Sequence, residues 1–267
     1  MPTANTALLT GASAGIGAVY ADRLARRGHD LILVARDETR LNALAARLRA
    51  ETGRVVEVLP ADLASRPDLL RVEQRLRQDA SIGMLLNNAG IAVAGPMQGS
   101  DVDRLEAMVD INITAALRLA HTAVANFMAR GAGTLINVSS VLALAPERFG
   151  AVYSGSKAFL LNLSLSLHTE LAGFGIRVQA VLPGATRTEL WGKAGIDMAA
   201  MPADRLMDAG EMVDAALAGL DLGEVVTIPS LPDRADWVRF DDARLALGPN
   251  LSLARAAARY RATGDAA

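Results

Sequence analysis

Residues 6–17 of the chain are Thr6-Ala7-Leu8-Leu9-Thr10-Gly11-Ala12-Ser13-Ala14-Gly15-Ile16-Gly17, an apolar run that enters a glycine-rich turn. The apolar run has the length of a buried strand, and small residues follow it where a helix would begin. A strand, a tight glycine turn and a helix in this order form the first half of a β-α-β unit. This stretch therefore predicts an α/β fold built on a parallel sheet.

The alternation of short apolar runs with long amphipathic stretches continues through the first two thirds of the chain. Most runs are rich in Val, Ile and Leu, as strands covered on both faces should be. We predict seven strands, near residues 6–10, 30–35, 55–59, 84–86, 134–138, 176–182 and 225–228. Right-handed crossovers favour the order 3-2-1-4-5-6-7. The expected architecture is a Rossmann-like, doubly wound, seven-stranded sheet in three α/β/α layers.

The 267 residues suit a single domain. Residues 101–129 and 152–172 are predicted to be helices that are apolar nearly all round, and a subunit interface is one way to bury such helices. Residues 192–210 have methionines among small residues, so we expect a mobile substrate flap there. Residues 229–267 are expected to form a C-terminal helical extension.

Composition narrows the classes of function. The net charge of −2 gives no single-sign field of the kind that nucleic-acid or membrane binding needs, so we expect neither partner. The absence of cysteine excludes disulfides and thiolate chemistry, and the scattered histidines and carboxylates imply no metal. The first residues lack the features of a signal peptide, and no apolar run is long enough to span a bilayer. We therefore expect a cytoplasmic protein.

The first turn has the pattern Gly-x-x-x-Gly-x-Gly. Glycines let the backbone turn sharply and approach a phosphate, whose charge the amides at a helix N-terminus can bind. An ordinary strand-to-helix turn can have the same composition, so this pattern alone is a weak signal. The predicted cofactor contacts in this loop are Gly11, Ser13, Gly15, Ile16 and Gly17.

Two later segments strengthen the prediction of a dinucleotide site. Asn87-Asn88-Ala89-Gly90 closes the fourth predicted strand, where asparagine amides can bond loop backbone and wall the adenosine side. Asp62 follows the third strand, where its carboxylate could accept from an adenine amino group, although it could equally cap a turn. The predicted contacts in these segments are Asp62, Leu63, Asn88, Ala89 and Gly90.

The end of the second strand distinguishes the two nicotinamide dinucleotides. Enzymes that use NAD usually place an acidic residue there to hold the ribose hydroxyls, whereas this chain has Ala35 followed by Arg36. A guanidinium pairs with the 2′-phosphate of NADP through two parallel hydrogen bonds. Asp37 could bind a ribose but is more simply a helix N-cap, and Ser13 and Arg40 can add to the phosphate pocket. We therefore predict NADP(H) in preference to NAD(H).

Tyr153-Ser154-Gly155-Ser156-Lys157 places a phenol and an ammonium on one face of a helix. A free tyrosine titrates near pH ~10, and a nearby ammonium favours the phenolate. Such a pair can supply the proton that carbonyl reduction requires once hydride arrives. Ser140 ends the fifth strand, facing the crevice where such sheets bind ligands, and could hold a substrate oxygen beside Tyr153. A bare Tyr-x-x-x-Lys pattern is more often an exposed phenol beside a solvated lysine.

Taken together, these segments resemble the short-chain dehydrogenase/reductase family over about residues 5–190. The resemblance implies that Tyr153 is the catalytic acid/base and that Ser140 positions the carbonyl. It implies that Lys157 lowers the pKa of Tyr153 and binds the nicotinamide ribose. It also implies that Asn112 distorts a helix and holds a water in a proton relay to the lysine.

The turn after the sixth strand, Leu182-Pro183-Gly184-Ala185-Thr186-Arg187-Thr188, matches the same family. The resemblance implies that its backbone and Thr188 orient the nicotinamide carboxamide. Proline and glycine by themselves would indicate only a turn. The predicted cofactor contacts here are Pro183, Gly184, Thr186 and Thr188, together with Tyr153 and Lys157.

These observations predict an NADP(H)-dependent oxidoreductase that transfers a hydride between nicotinamide and a small carbonyl or secondary alcohol substrate. One alternative is a catalytically silent NADP-binding sensor or scaffold on the same fold, whose signature would be a missing catalytic residue; none is missing. Another is an S-adenosylmethionine-dependent transferase, which also uses a glycine-rich first turn. That alternative leaves Ser140, Tyr153, Lys157 and Arg36 unexplained.

Assembly and substrate are less sharply indicated. The apolar helices resemble the family's dimer seam, so we expect a homodimer or homotetramer. Many members end with a glycine-rich segment that packs a tetramer, whereas this chain continues Pro229-Ser230-Leu231-Pro232-Asp233. Leu142, Leu144, Trp191 and the flap methionines suggest an apolar substrate pocket, although such clusters are more often core.

Overall fold

The computed structural model describes residues 5–261, which divide into two compact units between Pro229 and Ser230. The larger unit contains a seven-stranded sheet in which every pairing is parallel, in the order β3-β2-β1-β4-β5-β6-β7. The predicted sheet and strand order are confirmed. The strands are β1 (Thr6–Thr10), β2 (Asp30–Ala35), β3 (Val56–Pro60), β4 (Ile82–Asn87), β5 (Gly133–Val138), β6 (Ile176–Val181) and β7 (Val226–Thr227).

Helices cover both faces of the sheet, because successive residues of each buried strand point to opposite sides and both sides are apolar. One face packs against α1 (Gly15–Arg26), α2 (Glu38–Thr52) and α8 (Ala209–Asp221). The other packs against α3 (Arg66–Gln78), α5 (Ala116–Arg130) and α6 (Ala151–Glu170). The three layers therefore follow from strands without a polar face.

The long helix predicted over residues 101–129 is interrupted. It comprises α4 (Val102–Val109), a π-helical segment (Asp110–Ala115) and α5, and Asn112 lies inside the π-helical segment. A π-helical turn holds one more residue than an α-helical turn and is common at functional sites. The helix is thus distorted at the asparagine, as the family resemblance implies.

The segment predicted to be a flap follows β6. It contains α7 (Glu189–Lys193) and two short 3-10 turns, and Met198, Met201 and Met207 are partly buried. An isolated bridge pairs Thr186 with Met207, so the beginning and the end of this segment lie side by side.

The smaller unit begins at Ser230. It contains α9 (Arg234–Leu245), which has no buried side chain, and the rings of Trp237 and Phe240 lie 5.5 Å apart. Across residues 5–261 of the chain, none of the helices is both long and apolar enough to cross a membrane. The expected cellular location stays a prediction.

Candidate active site

The carboxyl ends of the strands border a cleft of about 700 Å³. Parallel sheets bind ligands at this edge, and the volume is typical of a small-molecule or cofactor site. All but one of the predicted cofactor contacts line the cleft: Gly11, Ser13, Gly15, Ile16, Arg36, Arg40, Asp62, Leu63, Asn88, Ala89, Gly90, Tyr153, Lys157, Pro183, Gly184, Thr186 and Thr188.

Gly17 is the exception, and its role is packing. A Cβ on Gly17 would lie 2.2 Å from the Gly11 carbonyl oxygen, so only glycine lets α1 approach the loop this closely. Gly11 and Gly15 have φ values of +65° and +52°, which L side chains rarely adopt. Asn88 Nδ2 donates to the carbonyls of Thr10 at 2.9 Å and Gly11 at 3.2 Å. The loop is therefore fixed with the N-terminus of α1 toward the cleft, an arrangement suited to a phosphate.

The charged side chains that follow β2 differ in whether they already have a hydrogen-bond or ion-pair partner. The Arg36 side chain has no hydrogen bond or ion pair with any residue in the range 5–261, and the residue is exposed at the cleft. Asp37 caps α2, since its Oδ1 accepts from the Arg40 backbone N–H at 3.0 Å. Arg40, which the sequence placed in a phosphate pocket, donates to Glu189 at 2.9 Å. Of the two arginines that follow β2, Arg36 is therefore the one that can bind a ligand without breaking an existing ion pair.

Asp62 and Leu63 line the cleft as predicted, and Asp62 has a turn role as well. Its Oδ1 accepts from the Ala64 N–H at 3.1 Å. The structure thus shows the capping alternative for one carboxylate oxygen, and the adenine contact stays a prediction.

Tyr153 and Lys157 lie on α6, and each is only 5% exposed. Lys157 Nζ donates to the Val138 carbonyl at 2.9 Å and lies 5.6 Å from the centre of the Tyr153 ring. The alternative of an exposed phenol beside a solvated lysine therefore does not describe this pair. Both side chains line the cleft at the end of β5.

Burial shifts the two groups in opposite directions. It raises the pKa of Tyr153 to about 12, and the neighbouring Ser140 hydroxyl opposes part of this rise. It lowers the pKa of Lys157 to about 8. Burial disfavours the charged form of either group. Burial thus holds the pKa of Tyr153 above its ordinary value in this structure. The lowering of this pKa by Lys157, which the family resemblance implies, stays a prediction.

Ser140 and Ser139 have different partners. Ser140 Oγ accepts from the Leu142 N–H at 3.1 Å and lies 3.5 Å from the Pro183 carbonyl, at the cleft. Ser139 Oγ donates to the Lys157 carbonyl at 2.7 Å, which ties β5 to α6. Ser140 is the serine that stands beside Tyr153, as predicted.

Asn112 is fully buried and does not line the cleft. Its Nδ2 donates to the Ile91 carbonyl at 3.0 Å and to Ser156 Oγ at 3.1 Å, and its Oδ1 accepts from the Ile91 N–H at 2.9 Å. A Cβ on Gly90 would come within 3.2 Å of Asn112 Oδ1 and 3.5 Å of Lys157 Nζ. Asn112 therefore joins the loop after β4 to α6 from behind the cleft.

An apolar wall stands beside the phenol. Tyr153 packs in a cluster with Ala92, Val93, Met108 and Ala194, against which Leu142 also packs. The Phe149 ring lies edge-on to Tyr153 at 5.3 Å and edge-on to Trp191 at 5.9 Å. Neither Leu144 nor the flap methionines line the cleft.

The sequence did not predict some of the residues at the cleft. Glu189 lines the cleft and directly follows Thr188, so its proximity to that motif was the available signal. Phe149 does not line the cleft, but it packs on Tyr153 and precedes it by four residues. Arg104 on α4 also lines the cleft. Within residues 5–261 there is no group of three or more histidine, aspartate or glutamate side chains placed to hold a metal.

Comparisons with known proteins agree with this geometry. Residues 5–199 match the family model described as short chain dehydrogenase. An uncharacterized oxidoreductase of Staphylococcus saprophyticus is 30% identical over 215 residues, which are 80% of this chain and 90% of that protein.

Two solved structures are similar over nearly the whole chain. A short-chain dehydrogenase from Sphingobium yanoikuyae in complex with NADPH is 52% identical, with a TM-score of 0.93 over 96% of this chain and 99% of that one. A bulky-bulky ketone specific alcohol dehydrogenase from Comamonas testosteroni is 46% identical, with a TM-score of 0.89 over 97% of this chain and 99% of that one.

Proposed function

This chain belongs to the short-chain dehydrogenase/reductase family, and from that premise we propose that Tyr153, Ser140 and Lys157 carry out hydride transfer between NADP(H) and a bulky, apolar ketone or the corresponding secondary alcohol. The chain is an oxidoreductase, and no feature favours the silent sensor or the transferase. The observation that carries the proposal is the buried Tyr153–Lys157 pair that lines a dinucleotide-sized cleft.

The cleft fits NADP(H). The tight Gly11–Gly17 contact leaves the backbone amides of the first turn open to a diphosphate, and Arg36 offers an unpaired guanidinium where a 2′-phosphate would lie. A related structure at 52% identity contains NADPH. When bound, the reduced nicotinamide supplies the hydride that the carbonyl carbon receives.

Tyr153 supplies the matching proton. Its phenol, with a pKa of about 12, is protonated at neutral pH. As negative charge develops on the substrate oxygen, that oxygen takes the proton from Tyr153 Oη, and the Ser140 hydroxyl positions it. Alcohol oxidation reverses the step and needs the phenolate, which Lys157 stabilises when it is charged.

Asn112 acts on this centre indirectly. It bonds Ser156, whose Oγ donates to the Tyr153 carbonyl at 2.7 Å, and it fixes the Ile91 backbone. We therefore assign Asn112 a positioning role. The water that the family resemblance implies between Asn112 and Lys157 stays a prediction.

The substrate side is apolar and aromatic. Val93 and Phe149 pack against Tyr153, and Trp191 packs edge-on against Phe149. Such a wall favours apolar substituents on both sides of a carbonyl. The relative from Comamonas testosteroni is named for ketones of this kind, which supports the same class here.

We also propose a homo-oligomer that buries the outer faces of α5 and α6. Leu117 and Met128 on α5 are 42% and 40% exposed in the single chain. Large apolar side chains in line on a helix are typical of an interface. Leu117→Glu should shift the protein toward monomer in sedimentation, whereas an unchanged mass would exclude this surface.

The test is a binding and turnover experiment on the purified protein. We expect tighter binding of NADPH than of NADH, and loss of NADPH absorbance with ketones that carry two bulky apolar groups. Binding without turnover on a broad panel of aldehydes, ketones and quinones would favour the silent sensor. Absence of nucleotide binding would exclude both functions.

A further inference from the structure

One ion pair crosses the rim of the cleft. Glu189, the first residue of α7, accepts from Arg40 Nη1 with both carboxylate oxygens at 2.9 Å. Arg40 lies on α2, 149 residues away in sequence, and both residues line the cleft. The pair therefore connects the flap side of the cleft to the helix that follows Arg36.

The neighbouring residue lies over the phosphate loop. A Cβ on Gly15 would meet Thr188 Cγ2 at 3.1 Å, so Thr188 lies against the start of α1. Thr188 and Glu189 together reach from the phosphate loop to α2. We call residues 188–193 the strap.

We propose that Glu189 is a specificity-determining residue that competes with the 2′-phosphate of NADPH for the Arg40 guanidinium. The inference rests on the proposed function, since it concerns the same nucleotide site. Arg40 presents its N–H donors in one planar fork, and a phosphate and a carboxylate bind that fork in the same bidentate way. Glu189 occupies Nη1 of that fork in this structure, so a phosphate that binds through Nη1 and Nη2 must compete with it.

The existing pair is weak enough to be exchanged. The side chains of Arg40 and Glu189 are 49% and 50% exposed, and pairs this exposed contribute little because water screens them. A phosphate monoester carries roughly two negative charges and three acceptor oxygens, so it is the stronger ligand. Arg36, which has no carboxylate partner among residues 5–261, can bind the phosphate from the other side.

Glu189 does not lose all its partners in the exchange. Lys193 Nζ, one turn further along the strap, lies 3.1 Å from Glu189 Oε2. Arg40 and Lys193 both lower the pKa of Glu189, so the carboxylate is charged at neutral pH. NADH has no 2′-phosphate and leaves the Arg40–Glu189 pair in place. The strap is therefore released from α2 only by the phosphorylated nucleotide.

The experiment compares dissociation constants of NADPH and NADH by nucleotide fluorescence in wild type, Glu189→Gln, Arg40→Gln and the double variant. Glu189→Gln should tighten NADPH by about two- to fivefold, the strength of one exposed ion pair, and leave NADH unchanged. In the Arg40→Gln background the same substitution should have no effect on either nucleotide. Glu38→Gln, an exposed carboxylate near Arg40 in sequence, is the matched charge control and should change NADPH binding less than Glu189→Gln.

Equal changes for NADPH and NADH in Glu189→Gln would overturn the inference, because the pair would then hold the dinucleotide as a whole. A gain that persists without Arg40, or one that Glu38→Gln reproduces, would also overturn it. A wild type that prefers NADPH and reduces ketones keeps the proposed function whatever Glu189→Gln does. A wild type that binds no NADPH removes both.

Discussion

The catalytic centre and the rim of the cleft hold their charged groups in opposite ways. At the centre Tyr153 and Lys157 are buried, and the Val138 carbonyl fixes the ammonium. At the rim Arg40 and Glu189 are half-exposed, and each has a second charged neighbour within 3.4 Å. The pKa values at the centre are set by burial, whereas those at the rim are set by the ion partners.

This difference assigns the rate of turnover to the centre and the affinity for nucleotide to the rim. A buried charged group that loses its partner raises the free energy of the protein strongly, so such groups keep the same partners. They suit a proton transfer that needs the same geometry in every catalytic cycle. Exposed ion pairs contribute little free energy, so their groups can change partners when a ligand binds. They suit discrimination between nucleotides. Substitutions at the centre should therefore alter turnover, and substitutions at the rim should alter binding.

The largest effect is expected for Tyr153→Phe. The substitution removes one hydroxyl, keeps the ring packed against Phe149, and should lower turnover by at least about 100-fold, the usual contribution of a general acid. The NADPH dissociation constant should change by no more than about tenfold, since at most one hydrogen bond is lost. Steady-state rates and fluorescence titration measure the two. Retention of a tenth of the activity or more would remove Tyr153 from its role.

A difference in pH dependence should follow from the raised pKa of Tyr153. Reduction needs the protonated phenol, which a pKa of about 12 preserves through neutral pH. Oxidation needs the phenolate, whose fraction rises roughly tenfold per pH unit below the pKa. Initial rates in both directions between about pH 6 and 8 measure this, and we expect a flat profile for reduction and a steep one for oxidation. A flat oxidation profile would contradict the assignment of the base.

At the rim, Arg36→Ala should weaken NADPH by about ten- to thirtyfold, because it removes charge-assisted hydrogen bonds to the 2′-phosphate. NADH should change less than about twofold, since it lacks that group. Arg77→Ala, which removes an exposed arginine on α3 that does not line the cleft, is the matched control. Equal losses for both nucleotides would argue against the phosphate contact.

Two ion pairs outside the cleft test whether the contrast extends to folding stability. Glu73 on α3 is buried and pairs with Arg118 on α5, whereas Arg27 and Asp221 form an exposed pair. Glu73→Gln should lower the free energy of unfolding by about 2 kcal/mol, because the charge-assisted hydrogen bonds to Arg118 are weakened, and Arg27→Gln by less than about 1 kcal/mol. Urea midpoints compare the two. Equal losses would mean that burial does not decide the strength of these pairs.

The features that local chemistry alone determines could be predicted from the sequence. The sheet order follows from apolar runs and crossover handedness, and the phosphate loop from glycines that no other residue can replace. The Tyr153–Lys157 pair follows from helical spacing. Strand ends were less predictable: β7 has only two residues because its ladder to β6 is confined to Val226 and Thr227.

The missed features depend on contacts between distant segments. The Arg40–Glu189 pair joins residues that no motif connects, and the placement of Phe149 depends on how the loop after β5 folds back onto α6. The pKa of Tyr153 could not be predicted from the motif either. The spacing of the motif places an ammonium near the phenol but does not show how deeply the phenol is buried.

The π-helical segment has a consequence for how such a chain can change over evolution. Each residue of a helix turns it by roughly 100°, so the extra residue at 110–115 sets the rotation of α5 relative to α4. Removing one residue there would restore a regular helix but turn Leu117 and Met128 away from their present direction. The direction of the outer face of α5 relative to the cleft wall therefore depends on the number of residues in this segment, so a deletion here would alter a surface that lies outside the cleft.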